Sequence, residues 1–424
     1  MSEERLVPKL RFSGFDEEWS LCKFDDLFDF QVAGDMKKEL FNEENSEEFK
    51  YPLFANALEE DGLLGYYKEY KYEPNSITVT ARGNVGHATV RNEKFNAVGR
   101  LIILTSKNDL DMNFFSEYIN SNVKVHIEST GVPQLTAPSL KINKLHYPSL
   151  NEQTKISNFL LALNKKMELL QKKHDSYVNF KKYLMQQIFA QKLRFAEDDS
   201  EWQEITLKDI GTFYRGHSYS SSNVVDDGLL VLRSNNIKNN VLDFSEDGLQ
   251  FVNKDCKKEL ELQKNDIVIC MSNGTRRLVG KSAEYIGNYP SKLTVGAFCS
   301  IFRTNNKLAK YLFQTESYKK NLYLILAGTN INNLKNSDLE KFKFNMPTNE
   351  SEINKIHDLF TSIDCKIDSN QKQLQEIILF KKGLLQQMFV CWIKLIKKFK
   401  AFQMKDAMKM FKKNRYCKKM FVIF

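Results

Sequence analysis

The chain carries a heptad pattern twice, and no other feature restricts its fold as much. Over residues 151–190 a 4-3 spacing runs through Ile156, Leu160, Leu163, Met167, Leu170, His174, Tyr177, Lys181, Leu184 and Ile188. Over residues 348–390 it runs through Ile356, Phe360, Ile363, Ile367, Asn370, Leu374, Ile377, Lys381, Leu384 and Met388. A 3.5-residue period held for more than four heptads predicts a coiled-coil seam. A buried helix of an ordinary bundle has no reason to keep that period so long, twice. About 33 residues of helix would span roughly 50 Å. His174 and Asn370 break the seams at different heights, as residues that set register and partner choice do.

The helices belong to a larger duplication. Lys9-Leu10-Arg11-Phe12 recurs as Lys192-Leu193-Arg194-Phe195, Glu18-Trp19 as Glu201-Trp202, and Asp26 as Asp209, all at an offset of 183. Leu140 and Pro148 recur as Leu339 and Pro347, an offset of 199. Phe180-Lys181-Lys182-x-Leu184-x-Gln186-Gln187-x-Phe189 recurs from Phe380 to Phe389, an offset of 200. The ends of each copy agree while the middles differ in length and content. This reads as a constant frame holding two variable inserts, with residues 5–19 packing where the second helix ends.

The inserts read as mixed α/β domains. Residues 77–81, 99–105, 229–233 and 266–271 have strand character, and 112–122 and 307–326 look helical. The expected organisation is α+β: an insert over 1–150, a helix over 151–190, a second insert over 191–347, a second helix over 348–390, and a basic tail over 391–424. The net charge of +9 belongs to that tail. It holds eleven Lys/Arg and one acid, so residues 1–390 sum to −1, and overall basicity gives no argument for nucleic acid. The tail does not continue the repeat. An out-of-frame or read-through origin is favoured over a basic amphipathic helix, and protection from limited proteolysis would overturn that choice.

Enzyme chemistry finds no foothold. Gly274 to Gly280-Lys281-Ser282 resembles a phosphate-binding loop, but five residues separate the glycines where four are required. There is no Pro-Pro pair for an adenine-methyltransferase loop and no Pro-Asp pair for the common nuclease core. The six histidines show no metal-ligand spacing. The cysteines (Cys22, Cys256, Cys270, Cys299, Cys365, Cys391 and Cys417) are odd in number and widely spaced, which argues against a disulfide framework and for a reducing cytoplasm. No apolar run is long enough to span a membrane.

The inserts do carry Gly-rich loops loaded with hydrogen-bond donors. The first has Arg82, Asn84 and His87, followed by Arg91. The second has Asn273, Arg276 and Arg277, followed by Lys281, and adds Arg215, His217, Arg233, Asn235 and Asn236. Arg and Asn read guanine and adenine edges bidentately, while Lys and the amides of Gly-rich turns suit phosphates. The bland alternative is a set of solvated turns. Taken as groups, the loops are expected to touch DNA.

With these residues in hand, residues 5–390 resemble the specificity (S) subunit of type I restriction–modification systems. The resemblance rests on the tandem insert–helix layout, on Leu140…Pro148-x-x-Asn151-Glu152-Gln153…Ile156, and on the repeated FKKxLxQQxF ending. It implies two target recognition domains separated by two long antiparallel coiled-coil helices in a pseudo-twofold tandem repeat. Each domain would read one half of a split, asymmetric site in double-stranded DNA. It also implies two modification subunits using S-adenosylmethionine and restriction subunits using ATP and Mg2+, while this subunit catalyses nothing. The chain departs from the family in its tail and in Asn349-Glu350-Ser351-Glu352, which has one more residue before the helix than the first copy. Two other classes compete: a coiled-coil scaffold that reads no DNA, and a nucleotide-dependent enzyme.

Overall fold

The computed structural model describes residues 7–123, 134–195, 201–327 and 332–390; the tail over 391–424 lies outside them. The chain forms two compact units. One comprises the residues up to Lys172 with those from Asn370 on, the other Lys173–Ser369. The units do not follow the linear succession of insert and helix. Each takes half of both long helices, Leu150–Phe189 and Glu350–Met388.

The heptad residues face inward within each unit. In the first, Ile156, Leu160 and Leu163 share a core with Leu374, Ile377, Leu384 and Met388. In the second, Leu184, Met185 and Ile188 share one with Ile356, Phe360 and Ile363. The start of one helix thus lies beside the end of the other, so the pairing is antiparallel. Burying a Leu or Ile of this kind contributes about 1.5–3 kcal/mol. Met167, Leu170 and Ile367 are half-buried. Asn370 is buried, and its side-chain oxygen has no hydrogen-bond partner among the described residues.

The first helix begins after Pro148. The Gln153 amide donates to the Pro148 carbonyl, and its oxygen accepts the N–H of Asp111, the residue that caps the insert helix Met112–Asn122. The helix ends at Phe189, and Gln191 just beyond it has a φ of 55°, the left-handed stop common after helices. The N-terminal residues close the first unit as expected: the Leu10 N–H donates to Gln387 O, and Trp19 packs edge-on against Phe389.

Both inserts prove to share one topology. In the first, a four-stranded antiparallel sheet runs in the order Phe28–Val32, Ile102–Ser106, Ser76–Val79, Ala88–Arg91. In the second the order is Gly211–Arg215, Cys299–Thr304, Ile267–Cys270, Ser282–Glu284. Each insert adds a smaller sheet whose last pair is parallel: Tyr51–Phe54 with Asn96–Ala97, and Leu229–Leu232 with Leu293–Val295. A two-stranded ribbon joins the start of each copy to the strand before its helix, Ser20–Lys23 with Lys144–Tyr147 and Gln203–Thr206 with Lys343–Met346. The helix expected over 307–326 is broken into Ala309–Leu312 and Glu316–Ala327, with the Thr315 hydroxyl bonded to Leu312 O.

His146, in the first ribbon, is buried and neither ring nitrogen has a hydrogen-bond partner among the described residues. Burial lowers its pKa. The folded form therefore resists protonation, and its stability holds above the unfolded-state value of about 6.5 and falls as pH drops below it. His146→Phe is expected to flatten the acid limb of stability measured by urea unfolding between pH 7 and 5. An unchanged limb would show that other groups set it.

Candidate nucleic-acid interface

In the second insert, backbone hydrogen bonds gather five segments at one edge of the two sheets. The His217 N–H donates to Val295 O at 2.7 Å, and the Gly296 N–H to Leu232 O at 2.8 Å. The Met271 and Ser272 N–H groups both donate to Phe298 O, at 2.8 and 3.2 Å. The Asn273 N–H donates to Asn332 O, and the Asn332 amide returns a bond to Gly274 O. The Asn273 amide reaches the Ser234 hydroxyl at 3.1 Å, tying the glycine loop to the 233–236 turn. Gly216 is required where it stands: a Cβ there would lie 2.1 Å from Gly296 O. Arg215, Arg233, Asn235, Arg276 and Arg277 are exposed around this cluster.

The first insert builds the same cluster from different residues. The Leu135 N–H donates to Ala81 O as the Leu334 N–H does to Met271 O. Arg82 bridges to Gln134 as Ser272 bridges to Asn333. Asn56 does much of the tying: its oxygen accepts the N–H groups of Ala81 and Arg82, and its amide donates to Gly99 O. Arg82 and Asn84 are exposed on the loop, with His87 half-buried beside them. Burial lowers the His87 pKa, favouring the neutral ring.

Not every residue chosen for its type faces solvent. Arg91 is buried under the first insert. Its guanidinium donates to the Thr78 hydroxyl at 2.9 Å and to Asp61 O at 2.7 Å, and lies 3.5 Å from the centre of the Phe54 ring. Burial brings its pKa down to about 10. Asn236 is buried and braces its own turn, accepting from the Arg233 N–H and donating to the carbonyls of Asp243 and Gly248. His217 is buried, with Nε2 lacking a hydrogen-bond partner among the described residues. These three hold the site's shape rather than its surface, because their polar atoms point into the domain. Lys281 donates to Ile237 O, so the near-miss phosphate loop has its lysine committed inside the fold. Arg276 bonds Leu326 O. Arg277, next to it, is also exposed.

The sequence reading missed Asn56, Arg100, Phe298 and Asn332. Phe298 was findable: it follows a Gly-Ala pair after a strand, the same signal that marked the other loops. Asn56 and Asn332 carry no such mark.

The frame has its own repeated polar contacts. Arg11 grips Glu152 with two bonds of 2.7 Å, and Arg194 grips Glu352 at 3.1 and 2.8 Å. Glu352 is thus the counterpart of Glu152, and the extra residue of the second copy precedes it. Trp202 adds an indole N–H to Glu352. The repeated lysines Lys181 and Lys381 pair with Asp364 and Glu117, at 2.7 and 2.8 Å.

A family model described as the type I restriction modification DNA specificity domain matches residues 16–176 and 199–379, one match for each copy. The chain is 23% identical over 400 residues to the MjaVIII specificity subunit of Methanocaldococcus jannaschii, covering 87% of this chain and 91% of that protein. It is 28% identical over 185 residues to the EcoKI specificity subunit of Escherichia coli, covering 42% of this chain and only 39% of that protein. Against two Mycoplasma pneumoniae relatives it spans 39% and 54% of their length. Among solved structures, the S subunit of a type I restriction–modification system from M. genitalium shares the fold, with a TM-score of 0.60 at 20% identity over 90% of this chain and 99% of that one. Two domain matches on two copies of one frame, and a shared fold along nearly the whole chain, place this protein in the type I restriction–modification DNA specificity family.

Proposed function

We propose that the chain is the DNA sequence-recognition subunit of a type I restriction–modification complex. Each insert reads one half of a split, asymmetric target, and the helical frame positions modification subunits and, through the assembly, restriction subunits. The observation that carries this reading is the pair of equivalent loop clusters. They share a backbone plan and differ in the side chains they present: Arg82 and Asn84 in one, Arg215, Arg233, Asn235 and Arg277 in the other. A shared plan with different donors is what reading two different half-sequences requires. The chemistry belongs to the partners, which bring S-adenosylmethionine, ATP and Mg2+ in a cytoplasmic complex; this subunit catalyses nothing. No helix among the described residues is long and apolar enough to cross a membrane.

Co-expression with a modification subunit, followed by mapping of methyladenine, is expected to reveal one bipartite motif with unlike halves. The scaffold alternative predicts complex formation with no motif. Within that motif, Arg277→Ala should weaken or relax one half alone, by about 1–3 kcal/mol if it reads a base. A uniform loss on random DNA would make it a phosphate contact.

A further inference from the structure

The turn that leads from the smaller sheet into the larger one carries Arg100 in the first insert and Phe298 in the second. Their equivalence follows from hydrogen bonding. The Cys299 N–H closes the turn onto Gly296 O as the Leu101 N–H closes onto Val98 O. Cys299 O accepts from Gly216 and Leu101 O from Ala33, the residues that follow equivalent edge strands. Arg100 is exposed and holds a left-handed φ of 71°. Phe298 is 70% exposed.

A lone exposed apolar residue needs no explanation, but this one is braced. Its carbonyl takes two backbone N–H bonds from Met271 and Ser272, at the root of the loop that bears Arg276 and Arg277. Its turn presses against Gly216, where no Cβ fits. The backbone that carries the ring is therefore held in fixed relation to that of the loop, and any groove the loop's donors enter lies within the ring's reach. Arg and Asn read purine edges in the major groove, where the apolar feature on offer is the thymine methyl group.

Resting on the DNA-reading function above, we propose that Phe298 is a specificity-determining residue of the second insert. It recognises a thymine C5-methyl group, and Arg100 fills the same station in the first insert as a hydrogen-bond donor to a base.

The test uses the full chain bound to its modification subunits and a duplex carrying the mapped motif. Thymines in the half sensitive to Arg277→Ala are replaced one at a time by deoxyuridine, which removes the methyl group alone. The wild-type complex should lose about fourfold in affinity at one position, the worth of one buried methyl group. Phe298→Ala should bind the thymine duplex at least that much more weakly and no longer tell thymine from deoxyuridine. Arg100→Ala should weaken the other half only. The proposal is overturned if Phe298→Ala leaves affinity unchanged, if it lowers affinity equally on both duplexes with discrimination intact, if it loses the modification subunits, or if no thymine in that half responds. A wild-type complex that marks no split motif would sink the DNA-reading function itself, which is a different result.

Discussion

Glu352→Ala is expected to destabilise the second unit by about 3 kcal/mol, at the low end for breaking a buried ion pair. The carboxylate is fully buried and takes three donors, two from Arg194 and one from the Trp202 indole. Its removal strands all three where the second helix meets the segment that follows the first helix. Arg194 keeps a 24% exposed side chain and can turn partly to water, which is why the low end applies. In a unit of this size the melting temperature should fall by roughly 6–12 °C. Glu152→Ala should act similarly on the first unit through Arg11. A Glu352→Ala loss below about 1 kcal/mol, the range of exposed pairs, would show that the repeated Arg–Glu contact is decoration on the frame.

The second large effect concerns the long helices. Seven residues inserted into both of them, one insertion after Lys172 and the other before Asn370, should lengthen the gap between half-sites while leaving each half unchanged. Seven residues add about 10.5 Å of helix, close to three base-pair steps of about 3.4 Å. These points are chosen because each unit buries the start of one helix against the end of the other, so a paired insertion there leaves both sets of contacts intact. The same insertion in the first helix alone, between Leu160 and Leu163, should cost several kcal/mol, since it slides Ile156 and Leu160 about 10.5 Å along the helix relative to Leu163, out of register with their partners in the core of the first unit. Methyladenine mapping reads the gap; an unchanged gap in the doubly lengthened protein would sink the idea that the helices measure it.

The frame was legible because it is written twice and has a period. The 4-3 spacing picked out residues that are buried or half-buried along both helices, and the matching ends marked the limits of each copy without showing that they pair as ribbons. The two sheets of each insert were not legible. Their strands run from two to six residues, and the parallel pairing of Leu53–Phe54 with Asn96–Ala97 leaves no mark in so short a segment. The shared topology was hidden because the loops between matching strands differ in length. Residue type marked loops that the fold gathers together, but not which of their side chains face solvent. Arg91 and Arg277 look alike in the sequence, yet one ends a strand with its guanidinium over Phe54 and the other sits on an exposed turn. The partner of Arg11 lies 141 residues away, and Glu350 was as plausible a match for Glu152 as Glu352 until the two arginines were seen to choose.

The interleaving of the units sets an order of assembly. Lys173–Ser369 is continuous in sequence, so on the ribosome the second unit has all its parts once Ser369 emerges. The first unit starts earlier and finishes later. Trp19, Phe114 and Tyr118 wait for Phe389, and Leu10 waits for Gln387. Until then the apolar start of the first helix packs on its own insert but lacks Leu374, Ile377, Leu384 and Met388, and a chain stalled in that interval exposes the surface that promotes aggregation. Domains of most proteins close from the N-terminus onward during synthesis; here the half that is begun first is completed last.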